Sequence, residues 1–493
     1  MDNILFIFTD QWRADCLSCH GHPVVKTPHL DQLAEKSVDF TNSFTTVPLC
    51  TPARGCVFTG LYPHQSGVID NCDVGVSFQE YLPNDAFTWM DAMVDSGRKV
   101  GHFGKWHLGY HWQTEDKNVD FDICRVEGNI HKHLDPNMKP FVTERGQLID
   151  GRLERFLPEK DGNKLPFYGK IDSVEDRFEY KVVQKGLDFL EKNKEEPWCL
   201  TVSLVGPHFP STLTQKYMDM YPPEDMVLPE SFTDTYQNKP WYQSRNWWPT
   251  CATNDFDEMN WKKTISAYYG CVSMMDDLIG EVLAKAEACS GGRKTRVIFT
   301  SDHGEMLGNH AKFDKDATFY EDVVRTPLLY CEDLLGSQKG FSRDEYCTTL
   351  DLSQTFFDLA GYQAQNGRSM TPLLAESYKP DEEKIAFGNY YKYNGHSFEI
   401  RYVRTERYKY SFIPQDIDEL YDLEKDPFEM TNLSDCEEYK DIKAQLKAMV
   451  IKSMEDSGDY LLAMLEEKLP EAGTIFSIPY PELKHDYKKE KGC

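Results

Sequence analysis

The stretch Ile4-Leu5-Phe6-Ile7-Phe8, which runs directly into Thr9-Asp10-Gln11, decides the fold class of this chain. Five consecutive apolar residues without polar alternation are typical of a strand that is buried on both faces, as in a parallel sheet. Three further apolar runs follow along the sequence, at residues 100–103, 199–205 and 297–300. The sequence therefore predicts a sheet whose strands are covered on both sides.

Helical patterns separate these runs. The pair Thr27-Pro28 opens a short helix, and longer helical patterns occupy residues 87–94, 173–190 and 261–288. Strands that alternate with helices predict an α/β domain with a mainly parallel central sheet flanked by helices.

The pattern changes after about residue 375. Short strand-like runs then appear at residues 400–403 and 408–412, and a helical pattern lies near 446–454. We therefore expect a large domain over residues 1–375 and a smaller C-terminal α+β domain, with a short antiparallel sheet, over residues 376–493.

A polar cluster follows each of the four apolar runs. The clusters contain Asp10 and Gln11, Lys105 and His107, His208, and Asp302 with His303. Ligands of open α/β sheets bind outside the carboxyl ends of the strands. Because the clusters come from distant parts of the chain, we expect them to converge on one edge of the sheet and to form the site.

The charge balance excludes several classes of partner. The 493 residues contain 54 Lys and Arg against 81 Asp and Glu, which gives a net charge of -27. A field of this sign repels phosphate backbones and anionic lipids, so neither a nucleic-acid nor a membrane partner is expected. If the ligand is an anion, the positive groups that bind it have to be concentrated in a pocket.

The sequence gives no sign of export. The first apolar run is too short for a signal peptide and has no basic segment before it, and no run approaches the ~20 residues of a spanning helix. We therefore expect a cytoplasmic protein, in which the 14 cysteines are reduced thiols.

The sharpest local feature is Leu49-Cys50-Thr51-Pro52-Ala53-Arg54-Gly55. A cysteine before Thr-Pro stands where a helix begins, and the amino end of a helix offers free N–H groups to an anion. Taken alone, the stretch is equally typical of a buried cysteine beside a helix start.

Further motifs follow in a fixed order along the chain. They are Gly104-Lys105-Trp106-His107, Pro207-His208-Phe209-Pro210, Ser301-Asp302-His303-Gly304-Glu305, Phe313-Asp314-Lys315, Arg325-Thr326-Pro327 and Leu420-Tyr421-Asp422-Leu423. Together with Cys50-Thr51-Pro52-Ala53-Arg54, they closely resemble the sulfatase family of the alkaline-phosphatase superfamily, over nearly the whole chain. The resemblance implies an alkaline-phosphatase-like catalytic domain and the hydrolysis of a sulfate ester.

The resemblance also implies how the site works. A maturase would oxidise Cys50 to Cα-formylglycine, whose hydrate is the nucleophile. Arg54 and Lys105 would hold that hydrate, and His107 would accept a proton from it. His208 and Lys315 would face the bridging oxygen and assist the departure of the alcohol.

The metal set implied by the resemblance is Asp10, Gln11, Asp302 and His303, completed by the modified Cys50. Oxygen-rich ligation suits one hard divalent cation, and calcium is the first expectation. Many sulfatases have a second Asp in place of Gln11 and an Asn in place of His303. This softer set also admits manganese, with magnesium as a further alternative.

Three functions follow from the sequence. The first is a sulfatase that acts on a small sulfated sugar, or on a sulfamate, to release inorganic sulfate. The second is a phosphonate monoester or phosphodiester hydrolase of the same superfamily, which Asp10-Gln11-Trp12-Arg13-Ala14-Asp15 also resembles. The third is an inactive binding protein. Two single residues stay open as well: Asn71 has a role in a turn or in the site, and Glu305 is expected to support its loop rather than to bind metal.

Overall fold

The structure is a computed structural model, and it describes residues 1–72, 81–83, 86–109, 119–124, 168–245, 250–254, 256–379, 383–393, 395–414 and 416–465. The strands in these residues are β1 (Asn3–Asp10), β2 (Ser37–Phe44), β3 (Lys99–Lys105), β4 (Val119–Cys124), β5 (Tyr168–Lys170), β6 (Trp198–Pro207), β7 (Ser211–Leu213), β8 (Thr295–Ser301), β9 (Arg325–Thr326), β10 (Leu328–Cys331), β11 (Phe341–Thr348), β12 (Ala386–Tyr393), β13 (His396–Arg404), β14 (Tyr408–Phe412) and β15 (Glu419–Asp422). The helices are α1 (Pro28–Ala34), α2 (Cys50–Thr59), α3 (Pro63–Ser66), α4 (Trp89–Asp95), α5 (Phe178–Asn193), α6 (Gln215–Asp219), α7 (Glu258–Ala288), α8 (Glu321–Val324), α9 (Thr349–Leu359), α10 (Lys440–Ser457) and α11 (Tyr460–Leu465).

The central sheet joins nine of the described strands. Its order is β11-β2-β10-β8-β1-β6-β3-β4, and β9 pairs with β2 at the side of this path. The run from β8 through β1, β6 and β3 to β4 is parallel throughout, whereas β10 is antiparallel to both of its neighbours. The predicted α/β class with a mainly parallel central sheet is confirmed.

Strand β1 lies in the middle of this sheet, and this position explains why its residues are apolar. Leu5 and Ile7 pack into the hydrophobic core on one face of the sheet, and Ile4, Phe6 and Phe8 pack into the core on the other face. All five side chains have no solvent exposure. Because both faces are covered, both sets of alternate residues have to be apolar, and each buried side chain contributes about 1.5–3 kcal/mol.

Helices cover both faces of the sheet. Helices α5 and α7 supply Val183 and Met274 to the core that contains Leu5. Helices α2, α4 and α9 supply Phe58, Trp89 and Phe356 to the opposite core. Helix α2, every residue of which is buried, is thereby fixed against the sheet.

The C-terminal region forms a second, smaller sheet. Strands β12-β13-β14-β15 pair antiparallel in this order. One face packs on α10 through Val403, Tyr410 and Val450, and the other face packs toward α2 through residues such as Tyr390. The predicted antiparallel sheet is confirmed, and the division at residues 375 and 376 stays a prediction.

Within the described part of the chain, no helix combines the length and the apolar character that crossing a membrane requires. Eleven cysteines, Cys50 among them, are free thiols.

Candidate active site

The carboxyl ends of four parallel strands bring the predicted polar clusters to one place. Asp10 ends β1, Lys105 ends β3, and Asp302 with His303 directly follows β8. The backbone N–H of His208, just after β6, donates to the carbonyl of Asp10 at 3.2 Å. The strand order explains this meeting, because β8, β1, β6 and β3 are immediate neighbours.

Cys50 is the first residue of α2 and lies against two of these groups. Its Sγ is 3.1 Å from Nε2 of His303 and 3.8 Å from Oδ1 of Asp10. Every residue of α2 is buried, and burial raises the pKa of the Cys50 thiol to about 12. The unmodified side chain is therefore a neutral thiol at physiological pH, which is a poor nucleophile.

Asn71 closes the amino end of the same helix. Its Oδ1 accepts a hydrogen bond from the backbone N–H of Thr51 at 3.0 Å. This N–H is one of the donors that a helix leaves unpaired in its first turn. The contact, at the residue that follows Cys50, is a structural role for Asn71.

Arg54 is a fully buried cation one turn further along α2. Its Nε donates to Oδ2 of Asp302 at 2.9 Å, and its Nη1 donates to the carbonyl of Lys105 and to Oγ of Ser203, both at 3.0 Å. Although burial opposes ionisation, cationic neighbours that include Arg54 lower the pKa of Asp302 to about 2. Asp302 is therefore held as a carboxylate.

Lys105 forms an ion pair with Asp10 across the strands. The glycine before Lys105 allows β3 to approach β6 closely at this point. Gly104 has φ of +106°, and a Cβ there would collide with the carbonyl oxygen of Ser203 on β6. Only glycine fits this close approach of two backbones, which places the lysine at the strand end.

Four ligand types form a compact cluster. One ligand atom from each of Asp10, Cys50, Asp302 and His303 lies within 4.8 Å of the others, and all four side chains are buried. Nδ1 of His303 lies 2.8 Å from the carbonyl of Gly304, which assigns the ring proton to Nδ1 and leaves the Nε2 lone pair facing the cluster. Burial lowers the pKa of His303 to about 4, so the ring is neutral, as a metal ligand must be.

Gln11 adds an oxygen without a partner. Its Oε1 is buried and accepts no hydrogen bond from any of the residues that the structure describes. Its Nε2, in contrast, donates to Oδ1 of Asp314 at 2.7 Å and contacts a carboxylate oxygen of Glu305. The oxygen of Gln11, the carboxylates of Asp10 and Asp302 and the neutral imidazole of His303 are donor types that suit a divalent cation.

Three more predicted residues act on this site electrostatically. Burial, together with the charges of Lys105 and Lys315, lowers the pKa of both His107 and His208 well below 6.5. Burial lowers the pKa of Lys315 as well, but the neighbouring carboxylate of Asp314 outweighs this and raises it above the usual value. These three residues therefore add two neutral imidazoles and a charged ammonium group to the site.

Sequence reasoning missed residues that hold these groups in place. Asp314 accepts hydrogen bonds from Nζ of Lys315 at 2.8 Å and from the hydroxyl of Tyr393, on β12, at 3.1 Å. Ser203 accepts from Arg54. Only Asp314 had a signal, which is its position directly before Lys315. Glu305 supports its loop, because its Oε1 accepts from the backbone N–H groups of Leu307 and Asp314.

Comparison with known proteins identifies this arrangement. The family model described as Sulfatase matches residues 2–362, and the model described as N-sulphoglucosamine sulphohydrolase, C-terminal, matches residues 308–456. An ulvan-active sulfatase of Formosa agariphila is 27% identical, over 93% of this chain and 82% of that protein.

Solved structures share the fold. A protein in complex with its substrate D-glucosamine-2-N,6-O-disulfate has a TM-score of 0.73 at 21% identity, over 93% of this chain and 98% of its own. A phosphonate monoester hydrolase of Agrobacterium radiobacter has a TM-score of 0.72 at 20% identity, over 93% and 96%.

The fold and the site thus define a hydrolase of the alkaline-phosphatase-like type. The match to the Sulfatase model covers well over half of the residues. The chain belongs to the sulfatase family, which confirms the resemblance seen in the sequence, and it is a sulfuric ester hydrolase.

Proposed function

We propose that the protein is a formylglycine-dependent sulfatase that releases inorganic sulfate from a small sulfated sugar. The observation that carries this proposal is the buried Cys50, a neutral thiol placed at 3.1 Å from His303 and 3.8 Å from Asp10. A cysteine sulfur that attacked a sulfate ester would leave a thiosulfate-type adduct with no easy exit. Conversion of Cys50 to formylglycine supplies a hydrated aldehyde, in which one hydroxyl attacks and the other later expels sulfate.

One divalent cation completes the proposed site. Asp10, Gln11, Asp302 and His303 would hold it, together with the modified Cys50. When bound, it supplies positive charge that orients the hydrate and lowers its pKa. Calcium is the first candidate, and the imidazole and the neutral amide also suit manganese.

Arg54 and Lys105 hold the hydrate of the modified Cys50, and the two lysines of the site also bind the sulfate group. Arg54 is held by Asp302, by Ser203 and by the carbonyl of Lys105, so its position is fixed before substrate arrives. Lys105 and Lys315 neutralise the sulfuryl oxygens as negative charge shifts in the transition state. This local positive charge is what a protein with a net charge of -27 needs in order to bind an anion.

The two histidines and Lys315 move protons. His107 is the base that takes a proton from the second hydroxyl, and its Nδ1 is buried without a hydrogen-bond partner among the described residues. The charged ammonium group of Lys315 donates toward the bridging oxygen of the substrate. His208 faces the same oxygen and assists the departure of the alcohol. Proton transfer of this kind contributes about 10²–10⁴-fold to a rate.

Sulfated sugars are the proposed substrates. An ulvan-active sulfatase is similar over nearly the whole chain, and the model that matches residues 308–456 is named for an enzyme of N-sulphoglucosamine. The latter makes a sulfamate the closest alternative to an ester. If the protein is cytoplasmic, as we propose, its substrates are imported mono- or disaccharides rather than polymers.

One observation favours a second function. Gln11 and His303 stand where many sulfatases have two other ligands, and the fold matches that of a phosphonate monoester hydrolase with a TM-score of 0.72. A phosphonate or phosphate diester is therefore the second candidate substrate. Matched sulfate and phosphonate esters of one alcohol, compared by kcat/KM, separate the two activities.

The first experiment is the mass of the peptide that contains Cys50, in protein produced together with a formylglycine-generating maturase. We expect a mass decrease that corresponds to conversion of the thiol to the aldehyde, and release of sulfate from a panel of small sulfated sugars. Cys50→Ala is the control, and it should abolish all turnover. An unmodified thiol, with the maturase shown to be active on a control peptide, would contradict the mechanism and favour the inactive binding protein.

The cation is tested on the same preparation. Removal by a chelator should abolish turnover, and calcium or manganese should restore it. Full activity of the metal-free protein would exclude the cation from the mechanism.

A further inference from the structure

Two carboxylates hold the side-chain amide of Gln11 in one orientation. Its Nε2 contacts a carboxylate oxygen of Glu305 and donates to Oδ1 of Asp314 at 2.7 Å. A primary amide has two N–H donors, and a carboxylate offers only acceptors. Both donors are therefore used by these two acids, and the amide oxygen has to face away from them.

The rest of Gln11 is fixed as well. The residue is fully buried, its φ is +66°, and its backbone N–H donates to Oδ1 of Asp302 at 3.2 Å. Oε1 is left without a hydrogen-bond partner in the part of the chain that the structure describes. A buried amide oxygen in this state is costly, and a bound cation would satisfy it.

The two acids are themselves held by the chain. Oε1 of Glu305 accepts from the backbone N–H groups of Leu307 at 3.0 Å and Asp314 at 2.7 Å. Asp314 also accepts from Nζ of Lys315 at 2.8 Å and from the hydroxyl of Tyr393 at 3.1 Å. Neither carboxylate can turn without breaking several hydrogen bonds.

We propose that Glu305 and Asp314 are positioning residues, which turn Oε1 of Gln11 toward the cation, and that Asp314 also sets the position of Lys315. The inference rests on the proposed function, because it requires that a cation binds beside Asp10 and Asp302. It adds two acids that do not touch the cation or the substrate, and it states through which residue each of them acts.

The first test is calorimetric titration with calcium chloride alone, on protein that was produced together with the maturase and then freed of metal. Glu305→Gln keeps the shape of the side chain but offers an NH₂ group in place of one acceptor, which opposes Nε2 of Gln11. We expect it to weaken calcium binding about 10–100-fold, the usual effect of losing a partner that orients a metal ligand. Asp314→Ala should have an effect of the same size.

Asp316→Asn is the matched control. Asp316 lies in the same loop, is equally buried, and accepts from Nζ of Lys312 at 2.6 Å, a residue outside the proposed site. Calcium affinity should be unchanged in this variant. If it falls as far as in Asp314→Ala, the effect is one of lost negative charge and the positioning role is wrong.

A double-mutant cycle tests whether the acids act through Gln11. In a Gln11→Ala background, Glu305→Gln should cause no further loss of calcium affinity, because the amide that it orients is gone. A full second loss would overturn the proposal. Should Glu305→Gln fail to fold, as judged by circular dichroism, Asp314→Ala takes its place in the cycle.

The second role of Asp314 has its own readout. Asp314→Asn should lower kcat more for esters with poor leaving groups than for esters with good ones, and Glu305→Gln should lower both equally, because only Asp314 touches Lys315. If kcat depends equally on the leaving group in the two variants, Asp314 does not set the position of Lys315.

The wild-type titration separates the two levels of inference. If the wild-type protein binds no calcium and no manganese, the cation of the proposed function fails, and the positioning role fails with it. If the wild type binds a cation and both acid variants bind it equally well, only the positioning role fails.

Discussion

Two buried arginine–carboxylate pairs, one in each part of the molecule, look alike but are built for different purposes. Arg54 lies on α2, at the carboxyl edge of the central sheet, and its Nε donates to Oδ2 of Asp302 at 2.9 Å. Arg401, on β13 of the C-terminal sheet, donates Nε to Asp459 at 2.5 Å and Nη2 to the same carboxylate at 3.0 Å. Both guanidinium groups are almost fully buried.

The surroundings of the two pairs differ. Asp302 lies in the cluster with Cys50 and His303, and its other oxygen accepts from two backbone N–H groups at the strand ends. Asp459 follows α10, and Arg401 joins that end of the helix to the antiparallel sheet. The first pair therefore belongs to the proposed site. The second pair connects the end of α10 to the antiparallel sheet. The comparison shows that burial and geometry alone do not distinguish the two pairs, and that only the carboxylate of Asp302 also belongs to a cluster of described groups that could hold a metal ion.

The largest expected effect is on the central pair. Arg54→Ala should lower kcat/KM for sulfate ester hydrolysis by at least about 10²–10³-fold, because it removes the buried cation that we propose holds the hydrate of the modified Cys50. It should also lower the free energy of unfolding by about 3–5 kcal/mol, since Asp302 is left buried and unpaired. Kinetics below the unfolding transition separate the two effects. Arg54→Lys, which keeps the charge without the planar fork, is the control, and near-normal turnover in either variant would contradict the assignment.

The C-terminal pair should affect stability alone. Arg401→Ala should lower the free energy of unfolding in urea by about 3–5 kcal/mol, for the same physical reason, and leave kcat/KM unchanged while the protein is folded. The double variant Arg401→Ala/Asp459→Ala should recover part of the loss, because it leaves no unpaired charge. A fall in kcat/KM like that of Arg54→Ala would abolish the distinction between the two regions.

The third prediction concerns pH and belongs to the central site. Burial and the nearby charges of Lys105 and Arg54 lower the pKa of His107, so its neutral, proton-accepting form persists below pH 6.5. Activity should be lost as pH falls, with the acidic limb of the kcat/KM profile centred below 6.5. An inflection at or above 6.5, for a substrate that does not itself titrate there, would show that His107 is not the base.

The smallest effect tests the contact between the two regions. The hydroxyl of Tyr393, on the first strand of the C-terminal sheet, donates to Asp314 beside Lys315. Tyr393→Phe removes one hydrogen bond and no apolar contact, so kcat should fall about fivefold, the equivalent of about 1 kcal/mol. Tyr390→Phe is the comparison, since its hydroxyl donates to the backbone carbonyl of Asp316 and, among the described residues, to no side chain of the site. If both variants match the wild type, the antiparallel sheet contributes nothing to turnover.

How far the sequence predicts this molecule differs between its parts. The runs that became β1, β3, β6 and β8 were found because burial on both faces forces continuous apolar sequence. Strand β2 was missed because its segment Ser37–Phe44 mixes buried and half-buried residues, Asp39 and Asn42 among them. The polar residues after the four strands could be assigned to one site, since the carboxyl ends of parallel strands lie at the same edge of a sheet.

The supporting contacts could not be read in the same way. Asp314 and Tyr393 lie 79 positions apart in the sequence, and Arg54 meets Ser203 across 149. No local pattern relates such residues, because their meeting depends on how two sheets pack against α2. The fold and the set of reactive groups were therefore predictable, and the network that orients them was not.

The burial of α2 has a consequence for the order of events in the cell. Cys50 is 1% exposed, and every other residue of its helix is buried between the sheet and other helices. Among the described residues these layers cover the thiol, so we expect the proposed oxidation to take place before α2 is buried, on the nascent or newly released chain. Folding and modification therefore compete in time. A variant that folds faster should leave a larger share of the molecules unmodified. The yield of active enzyme then depends on the rate of folding relative to the rate of modification, rather than on stability.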